Sequence, residues 1–192
     1  MKIKDKFLLG VISGFIGNIP KIILGKTLIK LGLAEIDDTD RAASIFIPPY
    51  KLADPKGKAI GWLSDSGIAS MLGVAFVYGL SITGNNKATM KGAMAGQAMW
   101  TVLYGALGSL GLTKVKPISP KTVLSEFLVH TVYGATTAFV ANKLADPDIF
   151  SGKVPLIATP IAQPVKSKPQ QQARSDVSIS RHGQEQEQVQ LH

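Results

Sequence analysis

The chain has 192 residues, enough for one domain, and 45% of them are apolar while only 18% are charged, below the roughly 25% of charged residues in ordinary soluble domains. It contains no cysteine, which excludes disulfides, thiolate metal sites and cysteine nucleophiles. The net charge of +8 comes from lysines that flank apolar segments, as they do at membrane spans, and no recognised motif or basic helix face indicates a nucleic-acid partner.

Four apolar segments predict four transmembrane helices. They cover residues 7–25, 60–82, 92–112 and 123–144, and a helix rising about 1.5 Å per residue needs about 20 residues to cross the hydrocarbon core. Residues 66–86 and 92–113 carry no charge, whereas an amphipathic soluble helix would show a charged face. We therefore expect an all-α integral membrane protein in which residues 1–145 form an antiparallel bundle of four transmembrane helices.

The first segment is interrupted by the polar stretch GNIPK at residues 17–21. Three lysines before residue 7 and the apolar run after them resemble a signal peptide, but no small-x-small cleavage site follows. We therefore expect an uncleaved first span. Pro20 frees the carbonyl of Ile16, which water or a polar group such as Asn18 can satisfy.

The segments outside the spans differ in composition. Residues 26–58 are too polar to cross, and the run from Asp37 to Asp40 predicts the cap of a short helix that Pro48 ends. Residues 146–164 contain several prolines and predict a juxtamembrane segment, whereas the Gln-rich residues 165–192 predict a disordered tail.

A few polar side chains inside the spans predict a polar cluster. The ionisable ones are Lys21, Asp65, Glu126 and His130. Because the spans alternate in direction, Lys21, Asp65 and Glu126 lie within about 5–9 Å of one membrane face, with Asn18 and His130 one turn deeper. In one interpretation Lys21 snorkels to the headgroups, and Asp65 and Glu126 occupy solvated N-terminal turns of their helices. In the other, Lys21 pairs with Asp65 or Glu126 in a polar pocket that is a candidate ligand or ion site.

The spacing of Glu126 and His130 is that of a metal-binding pair on one helix face, but two ligands make no site and Asp65 would have to complete it. We expect no metal and no other cofactor. The chain has no G-x-S-x-G motif and no phosphate-cradling glycine loop between a strand and a helix. We therefore expect that it is not an enzyme.

Glycines recur at helical spacing within the spans. They are Gly10, Gly14 and Gly17 in the first span, Gly92 and Gly96 in the third, and Gly134 in the fourth. Small residues allow helices to approach closely in lipid, where burial of apolar surface contributes little. We expect these glycines at helix–helix contacts.

Lysines on the N-terminal side of the first span favour a cytoplasmic N-terminus, and four spans then place the C-terminus on the same side. We expect a multi-pass protein of the cell membrane with both termini cytoplasmic.

The stretches KDKFLLGVISGFIGNIPKIIL and LVHTVYGATTAFVANKL, together with the spacing of the spans, resemble a group of small uncharacterised four-span membrane proteins of Gram-positive, often spore-forming, bacteria. The resemblance covers roughly residues 3–145. It implies a four-span architecture and a bacterial inner membrane, and it implies no catalytic residues.

Two functions remain open. The first is a non-enzymatic polytopic membrane protein that acts through helix–helix association, as a homo-oligomer or as a partner in a membrane complex. The second is a small transporter or channel-like protein that uses the polar cluster. In both cases the lipid bilayer is the surrounding partner.

Overall fold

The computed structural model describes residues 2–107, 109–111 and 119–151. The predicted tail at 165–192, and the predicted juxtamembrane segment from residue 152 onward, lie outside these ranges. The described residues are helical and form no β-strand, apart from one isolated bridge between Ile3 and Ala145. The all-α prediction is therefore confirmed for the described part of the chain.

The described residues form five α-helices. These are α1 (Lys6–Lys30), α2 (Asp38–Ala43), α3 (Pro55–Thr83), α4 (Ala88–Trp100) and α5 (Pro120–Leu144). After α4 the chain continues as a π-helix over Thr101–Leu107, and short 3₁₀ helices cover Pro49–Lys51 and Pro147–Phe150.

Three of these helices, α1, α3 and α5, are long and apolar enough to cross a membrane. The third predicted span, residues 92–112, falls on α4 and the π-helix. Because α4 has only 13 α-helical residues, it is too short to cross by itself. The described residues thus establish three candidate spans out of the four predicted.

Local capping explains where the helices begin. The side chains of Asp5, Asp37 and Ser119 accept hydrogen bonds from backbone N–H groups at the starts of α1, α2 and α5, as preferred N-cap residues do. Pro55 and Pro120 occupy the first turns of α3 and α5, where their missing N–H costs nothing. Both helices therefore begin a few residues before the apolar segments that predicted them.

The helices of the bundle pack in the order α3, α1, α5, α4, and a gap remains between α3 and α4. Helix α1 packs against both α3 and α5, and α4 packs against α5, whereas α3 and α4 barely touch. The tight α1–α3 crossing depends on glycine, because a Cβ at Gly73 would collide with the carbonyl of Gly10, and a Cβ at Gly14 would collide with that of Ala69. The outcome is a bundle that is open between α3 and α4.

The other predicted glycine positions also lie at helix crossings within the chain. A Cβ at Gly92 or Gly134 would collide with the carbonyl of the other residue, and Gly96 lies against the carbonyl of His130 in the same crossing of α4 and α5. A Cβ at Gly17 would collide with the hydroxyl of Thr137 on α5.

The two ends of the described chain meet at one end of the bundle. The backbone N–H of Ile3 donates to the carbonyl of Leu144 at 2.9 Å, and the N–H of Asp146 donates to the carbonyl of Ile3 at 2.9 Å. The connection between α1 and α3, which contains α2, lies at the opposite end, where α1 ends and α3 and α5 begin.

Candidate functional site

A buried ion pair between α1 and α3 forms the first part of the site. The ammonium of Lys21 donates to the carboxylate of Asp65, and both residues are only 5% exposed. The Lys21 Nζ also lies 3.7 Å from Oδ2 of Asp38 on α2. Of the two interpretations left open by the sequence, the structure has the ion pair, and Lys21 does not extend to the surface.

Asn18 supports this ion pair from one turn deeper in α1. Its side-chain Nδ2 donates to Oδ2 of Asp65 at 2.9 Å and lies 3.4 Å from Oγ of Ser66. The amide hydrogens are thus directed to α3 and not to the Ile16 carbonyl that Pro20 frees. Asn18 Oδ1 is buried and has no hydrogen-bond partner among the described residues.

A second buried ion pair joins α2 to α5. The guanidinium of Arg41 donates to the carboxylate of Glu126, with 3% and 4% of the two side chains exposed. The same guanidinium lies 4.6 Å from the ring centroid of Tyr104 in the π-helix, within the range of a cation–π interaction.

Asp38 is the third carboxylate of the site. Its Oδ1 accepts a hydrogen bond from the hydroxyl of Tyr104 at 3.2 Å. Burial by itself raises the pKa of Asp38, but the positive charges of Lys21 and Arg41 lower it by more, so that the pKa lies below its ordinary value of 3.8. Asp38 is therefore held as a carboxylate. Its neighbour Asp37 shows the opposite shift, since burial raises its pKa.

His130 lines the site and is held by a hydrogen bond from its Nδ1. Its Nδ1 lies 2.8 Å from the backbone carbonyl oxygen of Glu126, and because a carbonyl only accepts, Nδ1 carries the hydrogen and leaves Nε2 as an acceptor in the neutral ring. The ring packs edge-on against Tyr104, with 5.2 Å between centroids. The side-chain carboxylate of Glu126 is directed to Arg41 and not to His130. Within residues 2–107, 109–111 and 119–151, no three His, Asp or Glu side chains are placed to hold a metal ion.

Three residues of the site, Asp38, Arg41 and Tyr104, are not among those predicted from the sequence. Asp38 and Arg41 lie in the polar connection that was expected outside the membrane. Tyr104 is uncharged, and the polar cluster was predicted mainly from ionisable side chains. One signal was available, since Asp38 and Arg41 are three residues apart on the predicted short helix and so share a face. Nothing in the sequence indicates that this face is turned into the bundle.

Among the described residues, the acidic groups of the site outnumber the basic ones. Two positive side chains, Lys21 and Arg41, face three carboxylates, Asp38, Asp65 and Glu126. Arg41 is paired with Glu126, whereas Lys21 is shared between Asp65 and Asp38. The surplus negative charge therefore lies on the side of Asp38 and Asp65.

A cavity of about 200 Å³ adjoins these charges. Its polar side is formed by Lys21, Asp38, Arg41, Asp65, Tyr104 and His130. The rest of its lining is apolar and includes Ile45 after α2, Ile68 and Leu72 on α3, and Leu103 in the π-helix. One side of the cavity thus suits a charged group, and the larger, apolar part suits hydrocarbon.

Two further cavities lie along the gap between α3 and α4. A cavity of about 220 Å³ shares Leu72 and Leu103 with the first and is lined only by apolar residues. A cavity of about 420 Å³ shares Met99 with the second and reaches Thr83 and Lys91 at the other end of α3 and α4. Neighbouring cavities share these lining residues, and we call the three cavities together the α3–α4 track.

Comparisons with known protein families, with curated proteins and with solved structures find no match to this chain. The site is therefore interpreted from its own geometry.

Proposed function

We propose that the protein is a non-enzymatic integral membrane protein that binds a ligand within the bilayer and moves it along the α3–α4 track, as a small transporter. The observation that carries this proposal is the cavity of about 200 Å³ beside the buried charges. Charged groups inside a membrane are costly, with a penalty of at least about 2.5–3.5 kcal/mol each, and for that reason they usually mark substrate or ion pathways.

The proposal includes four spans. Helix α4 and the π-helix together have 20 residues (13 and 7), and a helix of about 20 residues can cross a hydrocarbon core about 30 Å thick. An even number of crossings also agrees with the hydrogen bonds that join Ile3 to Leu144 and Asp146. π-Helical turns are rare and occur frequently at functional sites, and this one supplies Leu103 and Tyr104 to the cavity.

The orientation of the α3–α4 track in the membrane follows from the two ends of the bundle that it reaches. The charged cavity lies near the end of the bundle that holds α2, and the cavity of about 420 Å³ reaches the end where Ile3 meets Leu144 and Asp146. We place the protein in the cell membrane with both termini cytoplasmic, because lysines precede the first span. The α3–α4 track then runs between the outer and the cytoplasmic faces.

The alternative, action through helix–helix association, has less support. The alternative depends on the glycine pattern. These glycines lie at helix crossings within the chain, where Gly73 contacts Gly10 and Gly92 contacts Gly134. A partner would have to use other surfaces. Exposed apolar side chains such as Leu63 and Met71 are equally suited to lipid.

Native mass spectrometry of the full-length protein, extracted from its own membrane and released from detergent, tests the proposal. We expect a bound small molecule on the unchanged protein. Leu72→Trp fills the junction of two cavities and should remove this molecule, whereas Met71→Trp, at a position that is 60% exposed on the same helix, should keep it. A protein without a bound molecule, or equal binding in both variants, contradicts the proposal.

A further inference from the structure

The sign of the ligand follows from the surplus charge. One ammonium, that of Lys21, is shared by Asp65 and Asp38, while the guanidinium of Arg41 is directed to Glu126. A monovalent cation next to Asp38 and Asp65 would cancel the surplus, and an anion would double it. Opposite charges attract more strongly in a buried site than in water, so the geometry selects a cation.

The shape of the cavities adds an apolar part to this cation. Beyond the charged side chains the lining is mostly apolar, and the cavities of the α3–α4 track extend from Leu72 to Thr83, a distance of about 16 Å along the helix. A bare metal ion would leave this volume empty. It would also require more oxygen ligands than the described residues bring together.

We infer that the ligand is a lipophilic primary ammonium ion, with its head beside Asp38 and Asp65 and its hydrocarbon tail in the α3–α4 track. This inference rests on the proposed function and names its substrate class. An ammonium head has three N–H donors, which match the two carboxylates and the hydroxyl oxygen of Tyr104. The apolar lining of the α3–α4 track would accommodate the hydrocarbon tail.

A proton is the alternative to the ammonium head, because protonation of one carboxylate would cancel the same negative charge and would require no hydrocarbon tail. Among the described residues, the titratable and charged groups that face the cavity or pair with those that do are Lys21 on α1, Asp38 and Arg41 on α2, Asp65 on α3, Tyr104 in the π-helix, and Glu126, His130 and Tyr133 on α5. If a proton satisfies this set, an ammonium head gives no advantage over a neutral one. The two occupants therefore differ in a measurable way.

The experiment compares three probes on the full-length protein in nanodiscs of zwitterionic lipid. Dodecylamine has both the charge and the tail, dodecanol has only the tail, and butylamine has the charge with a short tail. Trp100 reports binding, since its ring lies 6.4 Å from that of Tyr104, and Trp62→Phe removes the signal of the exposed second tryptophan. We expect saturable binding of dodecylamine and at least about tenfold weaker binding of the other two probes.

A pair of carboxylate variants locates the head. Asp38→Asn removes the surplus charge and should weaken dodecylamine binding at least about tenfold. Asp54→Asn removes the same charge from an exposed residue whose side chain makes no capping hydrogen bond, and it should leave binding unchanged. The comparison of the three probes on the Trp62→Phe protein does not depend on the folding of either aspartate variant.

Equal binding of dodecylamine and dodecanol would overturn the ammonium head and favour the proton. Equal binding of dodecylamine and butylamine would overturn the tail in the α3–α4 track. If dodecylamine fails to bind while the molecule seen by mass spectrometry still depends on Leu72, only the substrate class is wrong. If that dependence is also absent, the proposed function fails with it.

Discussion

Arg41 of α2 donates to the carboxylate of Glu126 on α5, a residue 85 positions further along the chain. Both side chains are almost fully buried, and Arg41 also lies over the ring of Tyr104. This pair fixes a six-residue helix from a polar connection against the bundle. It thereby forms one wall of the charged cavity.

Removal of one member of the Arg41–Glu126 pair should lower the free energy of unfolding more than removal of both. Arg41→Met leaves the buried Glu126 carboxylate without its partner, and we expect a loss of about 3–5 kcal/mol in the free energy of unfolding. In the double variant Arg41→Met/Glu126→Leu much of this loss should be recovered. Unfolding by denaturant in detergent micelles measures both.

The exposed pair between Lys58 and Asp40, whose Lys58 side chain is 51% exposed, is the control for this experiment. Lys58→Met should cost no more than about 1 kcal/mol, as is usual for surface pairs. A double variant that is as unstable as Arg41→Met would contradict the coupling between Arg41 and Glu126.

The crossing of α1 and α3 should not tolerate a methyl group. Gly73→Ala places a Cβ against the carbonyl of Gly10, and we expect a loss of about 1–3 kcal/mol because packed backbones must separate. Gly67→Ala, on the same helix with no atom within 4 Å of the new Cβ, should be neutral or more stable by about 0.5–1 kcal/mol. Equal thermal unfolding of the two variants would argue against a close crossing.

The four-span topology can be tested with single cysteines, since the chain has none. Lys51→Cys lies in the connection that contains α2, and Asn86→Cys lies between α3 and α4. In intact cells we expect a membrane-impermeant maleimide to label position 51 and to leave position 86 unlabelled. Ser151→Cys decides the number of spans, because it shares the side of position 86 if α4 and the π-helix cross, and the side of position 51 if they do not.

Asp38 should contribute to stability at neutral pH and lose that contribution in acid. Its pKa is lower in the folded protein than its ordinary value of 3.8, so its stabilising effect is complete above 3.8 and disappears as the pH falls through the folded pKa. Asp38→Asn should therefore destabilise the protein at pH 7 and have a smaller effect at low pH. Thermal unfolding in detergent across this range measures the difference.

Asp37→Asn is the matched comparison, because Asn can also cap a helix. The pKa of Asp37 is raised by burial, so its ionisation costs stability above the folded pKa and the cost vanishes at low pH. Replacement should therefore favour the folded state more at pH 7 than in acid. The same pH response for both variants would contradict the two opposite shifts.

The local features of this protein follow from the sequence by itself. The positions of α1, α3 and α5, the short helix after Asp37, and the location of Lys21, Asp65 and Glu126 near one end of the bundle were all predictable. These features depend on helix rise, capping and apolar length, which are properties of neighbouring residues. The predicted glycine positions also lie at helix crossings, since a stripe of small residues is a local pattern on one helix.

The tertiary structure decided what completes the site. Asp38 and Arg41 enter it because the polar connection folds onto the bundle, and Tyr104 enters it because α4 continues as a π-helix. The gap between α3 and α4 exists because α1 and α5 separate these two helices. Each of these features depends on contacts between residues far apart in the chain. Hydropathy and periodicity are local properties and do not predict such contacts.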